Sequence, residues 1–71
     1  MTTYTYSATA RNEHGRICKA GFGTEAAMMD WAVAIDRQGC ELLTAVREVW
    51  EEVNGWAHLV RVETYKMGRP Q

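Results

Sequence analysis

The sequence lacks most of the features that announce a function. One proline and two cysteines in 71 residues leave no disulfide framework and no Cys-x-x-Cys pair. No run approaches the roughly 18 apolar residues of a membrane-spanning helix. A surplus of either charge is missing too: eight Lys and Arg face nine Asp and Glu, for a net charge of -1. A dedicated duplex binder neutralises several phosphates with clustered bases. Here Arg11, Arg16, Lys19, Arg37, Arg47, Arg61, Lys66 and Arg69 are scattered, which argues against direct nucleic-acid binding. The short basic stretch Lys66-Met67-Gly68-Arg69 reads as a solvated terminus. Met1 to Tyr6 offers neither a basic n-region nor an apolar h-region, so no secretory leader is expected. Cytoplasmic residence follows as the default expectation, with Cys18 and Cys40 as reduced thiols. Repeats, low-complexity tracts and linkers are also missing.

What is there fits one small domain spanning residues 1–71. A hydrophobic share of 46% and a charged share of 24% are those of a globular chain, not a disordered one. A core this small supplies a net stability of only ~3–5 kcal/mol unless a disulfide, a metal or a partner contributes.

Thr3 to Ala10 alternates strictly, with Tyr4, Tyr6, Ala8 and Ala10 on one face and Thr3, Thr5, Ser7 and Thr9 on the other. Period two with aromatic and β-branched residues predicts a strand with one wet face. Asn12-Glu13-His14-Gly15 then supplies a three-residue loop with a bulge, which sets Ala10 opposite Cys18, Ala8 opposite Ala20 and Tyr6 opposite Phe22. Thr24 is a helix N-cap with Glu25 in the first turn, and Gly39 is a C-terminal stop after Gln38. Between them Met28, Trp31, Ala32 and Ile35 form the core stripe, with Asp30 and Arg37 on the opposite side.

Residues 41–53 are compatible with two structures. Leu42, Leu43, Val46, Val49, Trp50 and Val53 fit a helical face, giving β-β-α-α-β. A strand is favoured because Asn54-Gly55 is the strongest short hairpin signal and Trp56 to Tyr65 is rich in β-formers. Pairing Val53 with Trp56 would set Val49 opposite Val60 and Glu48 opposite Arg61. The expected fold is therefore α+β, in the order β-β-α-β-β: a four-stranded, mainly antiparallel sheet with one helix on one face.

Chemistry-bearing groups are few. His14, Cys18, Cys40 and His58 lack the close pairing that zinc sites use, and read as a turn-tip histidine, a buried thiol, a junction cysteine and a strand histidine. No metal is assigned. Cys18 falls mid-strand and Cys40 follows a helix C-terminus, where the dipole disfavours a thiolate, so neither reads as a nucleophile. Glu48, Glu51 and Glu52 read as a solvated hairpin end. Gly21-Phe22-Gly23-Thr24 lacks the lysine of a phosphate loop. No catalytic residue and no cofactor is assigned, and the chain is read as a non-enzyme.

The second hairpin carries apolar residues on both faces. Leu43, Ala45, Val49, Val60 and Val62 form one set; Leu42, Val46, Trp50, Leu59 and Tyr65 form the other. One helix cannot cover both, and a contiguous apolar face left open marks a partner surface. With Trp50 and Trp56 flanking the turn, the expected partner-binding residues are Leu42, Val46, Glu48, Trp50, Glu51, Glu52, Trp56, Leu59 and Tyr65.

The stretch from Arg37 through Gly39, Cys40, Glu41 and Leu42 to Val46 resembles the helix-to-strand junction of small bacterial and phage domains, with Cys40 where those carry an aromatic residue. In size and layout the chain is similar to small phage-encoded inhibitors of host defence, such as anti-CRISPR proteins, without a shared motif. That resemblance implies a binding protein that blocks a host nucleoprotein complex, its acidic hairpin end meeting a basic groove. Two other expectations stand beside it. One is a small homodimeric structural or regulatory protein. The other is a single-stranded nucleic-acid binder stacking bases on Tyr4, Tyr6 or Tyr65.

Overall fold

The structure, a computed structural model, describes residues 1–65; the basic stretch at 66–69 lies outside the described residues. Four strands and one helix follow in the order β1 (Thr2–Arg11), β2 (Ile17–Phe22), α1 (Glu25–Arg37), β3 (Glu41–Val53) and β4 (Trp56–Thr64). They form a single antiparallel sheet with strand order β2-β1-β3-β4. This is the expected α+β architecture, and residues 41–53 are strand rather than helix.

Local chemistry explains each boundary. In the first hairpin the Asn12 side chain accepts from the backbone N–H groups of His14 and Arg16, both at 2.9 Å. The register then runs as expected through Ala10–Cys18, Ala8–Ala20 and Tyr6–Phe22. Thr24 caps α1 by accepting from the Ala27 N–H at 3.2 Å. At the other end Gly39 adopts φ +82°, where an L side chain is disfavoured. That turn lets the Cys40 N–H reach the Ile35 carbonyl at 3.0 Å and the Gly39 N–H reach the Asp36 carbonyl at 3.1 Å, the paired bonds of a Schellman stop. Asn54 and Gly55 both take positive φ, at 54° and 81°, and close a two-residue turn between Val53 and Trp56.

The core is small. Ala8, Met28 and Ala45 are its buried centre, with Tyr6, Phe22, Trp31, Leu42 and Tyr65 packed around them. Met28 is fully buried and is the largest side chain to be so among the described residues. Three alanines (Ala8, Ala10 and Ala45) floor the sheet where the helix approaches. Of the expected stripe, Met28 and Ile35 are buried, while Trp31 and Ala32 are partly covered at its margin.

Two bulges reshape the second hairpin. One, between Thr9 and Ala10, pairs Thr9 with Thr44 but Ala10 with Leu42, leaving Leu43 as the extra residue. The other pairs Val49 with Arg61 but Trp50 with Leu59, leaving Val60 extra. The expected pairs Val49–Val60 and Glu48–Arg61 are therefore replaced by Val49–Arg61 and Glu48–Val62. A one-residue offset exchanges the faces of a strand. Arg61 moves to the helix side and Val62 to the open side. Leu42 likewise joins the helix-side core, together with Tyr65, so neither belongs to the open set.

Cys18 is a further correction. It shares a face with Ala10, yet it is exposed rather than buried. β2 is an edge strand, and the helix packs mainly over β1 and β3.

Candidate functional site

Length mismatch leaves much of the second hairpin exposed. A 13-residue helix reaches about 20 Å. A strand of 13 residues reaches about 43 Å, matching the longest molecular dimension of 44 Å. The helix meets the sheet near Ala8, Leu42 and Ala45, so the β3–β4 hairpin projects well past it. On that projection Trp56 is 73% exposed, Leu59 49% and Val62 50%.

The side of the sheet opposite the helix carries Thr3, Thr5, Ser7 and Thr9 on β1, Val46, Glu48, Trp50 and Glu52 on β3, and Leu59 and Val62 on β4. Cross-strand pairing brings Trp50 between Thr3 and Leu59, and Glu48 between Thr5 and Val62. A hydrogen-bond relay fixes the middle of this surface. The Trp50 indole N–H donates to Thr5 Oγ1 at 2.7 Å. The Thr5 hydroxyl donates onward to Glu48 at 3.1 Å. An indole and a carboxylate are thereby held in place by one threonine on an otherwise uncovered face.

Of the expected partner-binding residues, the open face collects Val46, Glu48, Trp50, Glu52 and Leu59. Glu51 and Trp56 fall on the other side of the projecting hairpin. Glu51 accepts from the Thr2 hydroxyl at 2.9 Å and lies 3.5 Å from the N-terminal amine. Trp56 stands opposite Val53 beside the turn. Leu42 and Tyr65 are taken up by the core. Thr5 escaped the sequence reading, because alternation marks it only as one more polar residue on a wet face.

The helix side holds a separate charged cluster. Arg47 pairs with Glu63 through both its Nε and a terminal nitrogen, and Arg61 Nε lies 3.2 Å from the other Glu63 oxygen. The two guanidiniums, Arg47 first, hold the Glu63 carboxyl below its ordinary pKa, and Glu63 in turn raises that of Arg47. The Arg47 guanidinium also sits 4.8 Å above the Tyr4 ring. Tyr65 donates its hydroxyl to Glu25 at 2.6 Å, tying the end of β4 to the start of the helix. That bond, with some desolvation, pushes the phenol up to about 12.

All three tyrosines thus lie on the helix side, with Tyr4 beneath a guanidinium and Tyr6 and Tyr65 in the core. The open face offers no tyrosine to a nucleobase. His14, Cys18, Cys40 and His58 lie on different elements, and the described residues contain no group of three His, Cys, Asp or Glu that could hold a metal. No described helix is long and apolar enough to cross a membrane. No family model, curated protein or solved structure matches the chain.

Proposed function

We propose that this chain is a non-catalytic protein-binding module that docks through the open face of its projecting hairpin, centred on Trp50. The observation that carries this reading is the Trp50–Thr5–Glu48 relay. Exposed side chains on a bare sheet face ordinarily sample several rotamers, and ordering each one on binding costs about 0.5–1.5 kcal/mol. Here the indole and the carboxylate are already ordered before any partner arrives. Val46, Leu59 and Val62 surround them with apolar surface, the composition of an interface centre with an aromatic anchor. Glu48 and Glu52 flank Trp50 along β3, which favours a partner with basic groups around an apolar pocket.

The class resemblance supplies a biological setting: an inhibitor of host defence that occupies a basic groove on a CRISPR effector or a similar nucleoprotein complex. Immobilised protein exposed to a bacterial lysate expressing such an effector tests both parts. Wild type should retain the complex and Trp50→Ala should lose it. Thr5→Val, which keeps the shape and removes the relay, should weaken retention several-fold. Equal retention by all three proteins would refute the placement of the site on this face.

A further inference from the structure

We infer that the outer edge of β4 is a self-pairing edge, through which two copies of this chain join antiparallel about a two-fold axis at Val62. The inference is independent of the proposed function, because edge pairing uses backbone groups and leaves the Trp50 face uncovered.

The direction of the β4 backbone follows from its inner partner. The Tyr65 N–H donates to the Ala45 carbonyl at 2.8 Å. Hydrogen-bonded and non-bonded pairs alternate along an antiparallel ladder, so Glu63 opposite Arg47 and Arg61 opposite Val49 also direct their backbone groups toward β3. The turn end gives the same phase. A two-residue turn makes Val53–Trp56 a bonded pair, hence also Glu51–His58, and the extra residue Val60 carries the pattern on to Val49–Arg61. Val62 and Thr64 must then point both N–H and C=O away from β3. Among the described residues no strand lies on that side of β4.

The charges on this edge select the occupant. Placing Val62 of one copy opposite Val62 of another forms a bonded pair and sets Arg61 of each copy opposite Glu63 of the other. The side chains of Arg61 and Glu63 share the helix side, so the junction becomes an alternating square of two bases and two acids. Opposite charges facing across strands are stabilising and like charges are not. A register centred one residue away, on Arg61 or on Glu63, would place a charge against its own copy. The extra residue at Val60 interrupts the edge toward the turn, which confines pairing to the segment around Val62. The result is a continuous sheet through both copies, with both open faces on the same side of it.

Sedimentation equilibrium over roughly 1 μM to 1 mM, the range of weak to moderate association, tests this on the full chain. Wild type should shift from monomer to dimer across that range. Val62→Pro deletes an outward N–H that the fold itself does not use, and should stay monomeric with an unchanged circular-dichroism spectrum. R61E gives an acidic edge and E63R a basic one; each should be monomeric alone, and the two should pair when mixed. Wild type that stays monomeric throughout would overturn the inference, as would V62P dimerising like wild type. Loss of the dimer in Trp50→Ala but not in V62P would place self-association on the open face and overturn it equally.

Discussion

Replacing Met28 by alanine should come close to unfolding this protein. Met28 is fully buried at the centre of a core whose other buried members are mostly alanine and valine. Truncating a buried Met to Ala typically costs about 2–5 kcal/mol, part from lost transfer energy and part from the cavity. Ala8 and Ala45 form the floor beneath it and have no side-chain length with which to fill the space, which places the cost in the upper half of that range. A chain of this size holds only ~3–5 kcal/mol in all. Urea titration followed by tryptophan fluorescence is a suitable assay, since Trp31 packs beside this core with its ring 5.7 Å from that of Phe22. With a slope of about 1 kcal/mol/M, wild type should unfold near 3–5 M and M28A near or below about 2 M. Met28→Leu keeps the volume and should cost less than about 1.5 kcal/mol. A loss below about 1 kcal/mol in M28A, with an unchanged slope, would show that the stability of the fold does not depend on the helix–sheet contact at Met28.

Other perturbations isolate single devices. The Tyr65 phenol titrates higher in the fold than in the unfolded chain, so its contribution is complete below about pH 10 and disappears as pH rises toward about 12. Tyr65→Phe should flatten the melting temperature across that window, and an unchanged alkaline profile would rule the Glu25 bond out as a stabilising contact. Glu63 behaves in the opposite sense: its carboxyl is held low by Arg47 and Arg61, so its contribution is present above the usual carboxylate range and fades as pH falls through its lowered value. Glu63→Gln should remove part of the acid sensitivity, readable as a smaller drop in melting temperature between neutral and acidic buffer. Gly55→Ala forces an L side chain into φ 81° with no clash around it, and should cost about 1–2 kcal/mol from backbone strain alone; a neutral effect in thermal melts would mean that the turn relaxes to another type.

Periodicity and punctuation carried most of the fold. Strict alternation in Thr3–Ala10, the cap at Thr24, the stop at Gly39 and the Asn54-Gly55 turn each act locally, and local chemistry can be read along a chain. The bulges cannot be read so directly. Whether Val60 or Arg61 stands opposite Val49 depends on how the whole length of β4 lies along β3, and no short pattern near Val60 announces an extra residue. That one offset explains why Arg61 and Val62 exchange faces. A companion bulge at Leu43 sends Leu42 into the core. The candidate site was half legible for the same reason. Trp50 and its apolar neighbours stand out by residue type, whereas Thr5 acquires its role only when β1 lies beside β3, 45 residues away along the chain.

The strand order has a consequence for how the molecule assembles. Each hairpin is local and can zip within microseconds, but the seam between β1 and β3 joins residues as far apart as Thr2 and Glu51. Closing so long a loop carries an entropic cost that adjacent contacts do not share, and folds dominated by such pairings form slowly. On the ribosome the first hairpin emerges with one side of β1 unsatisfied, and it stays so until the second half of the chain has been made. The strand that ends at the centre of the sheet is thus, for a time, its most adhesive edge, and the rate at which β3 follows sets how long that edge is open to the wrong neighbour.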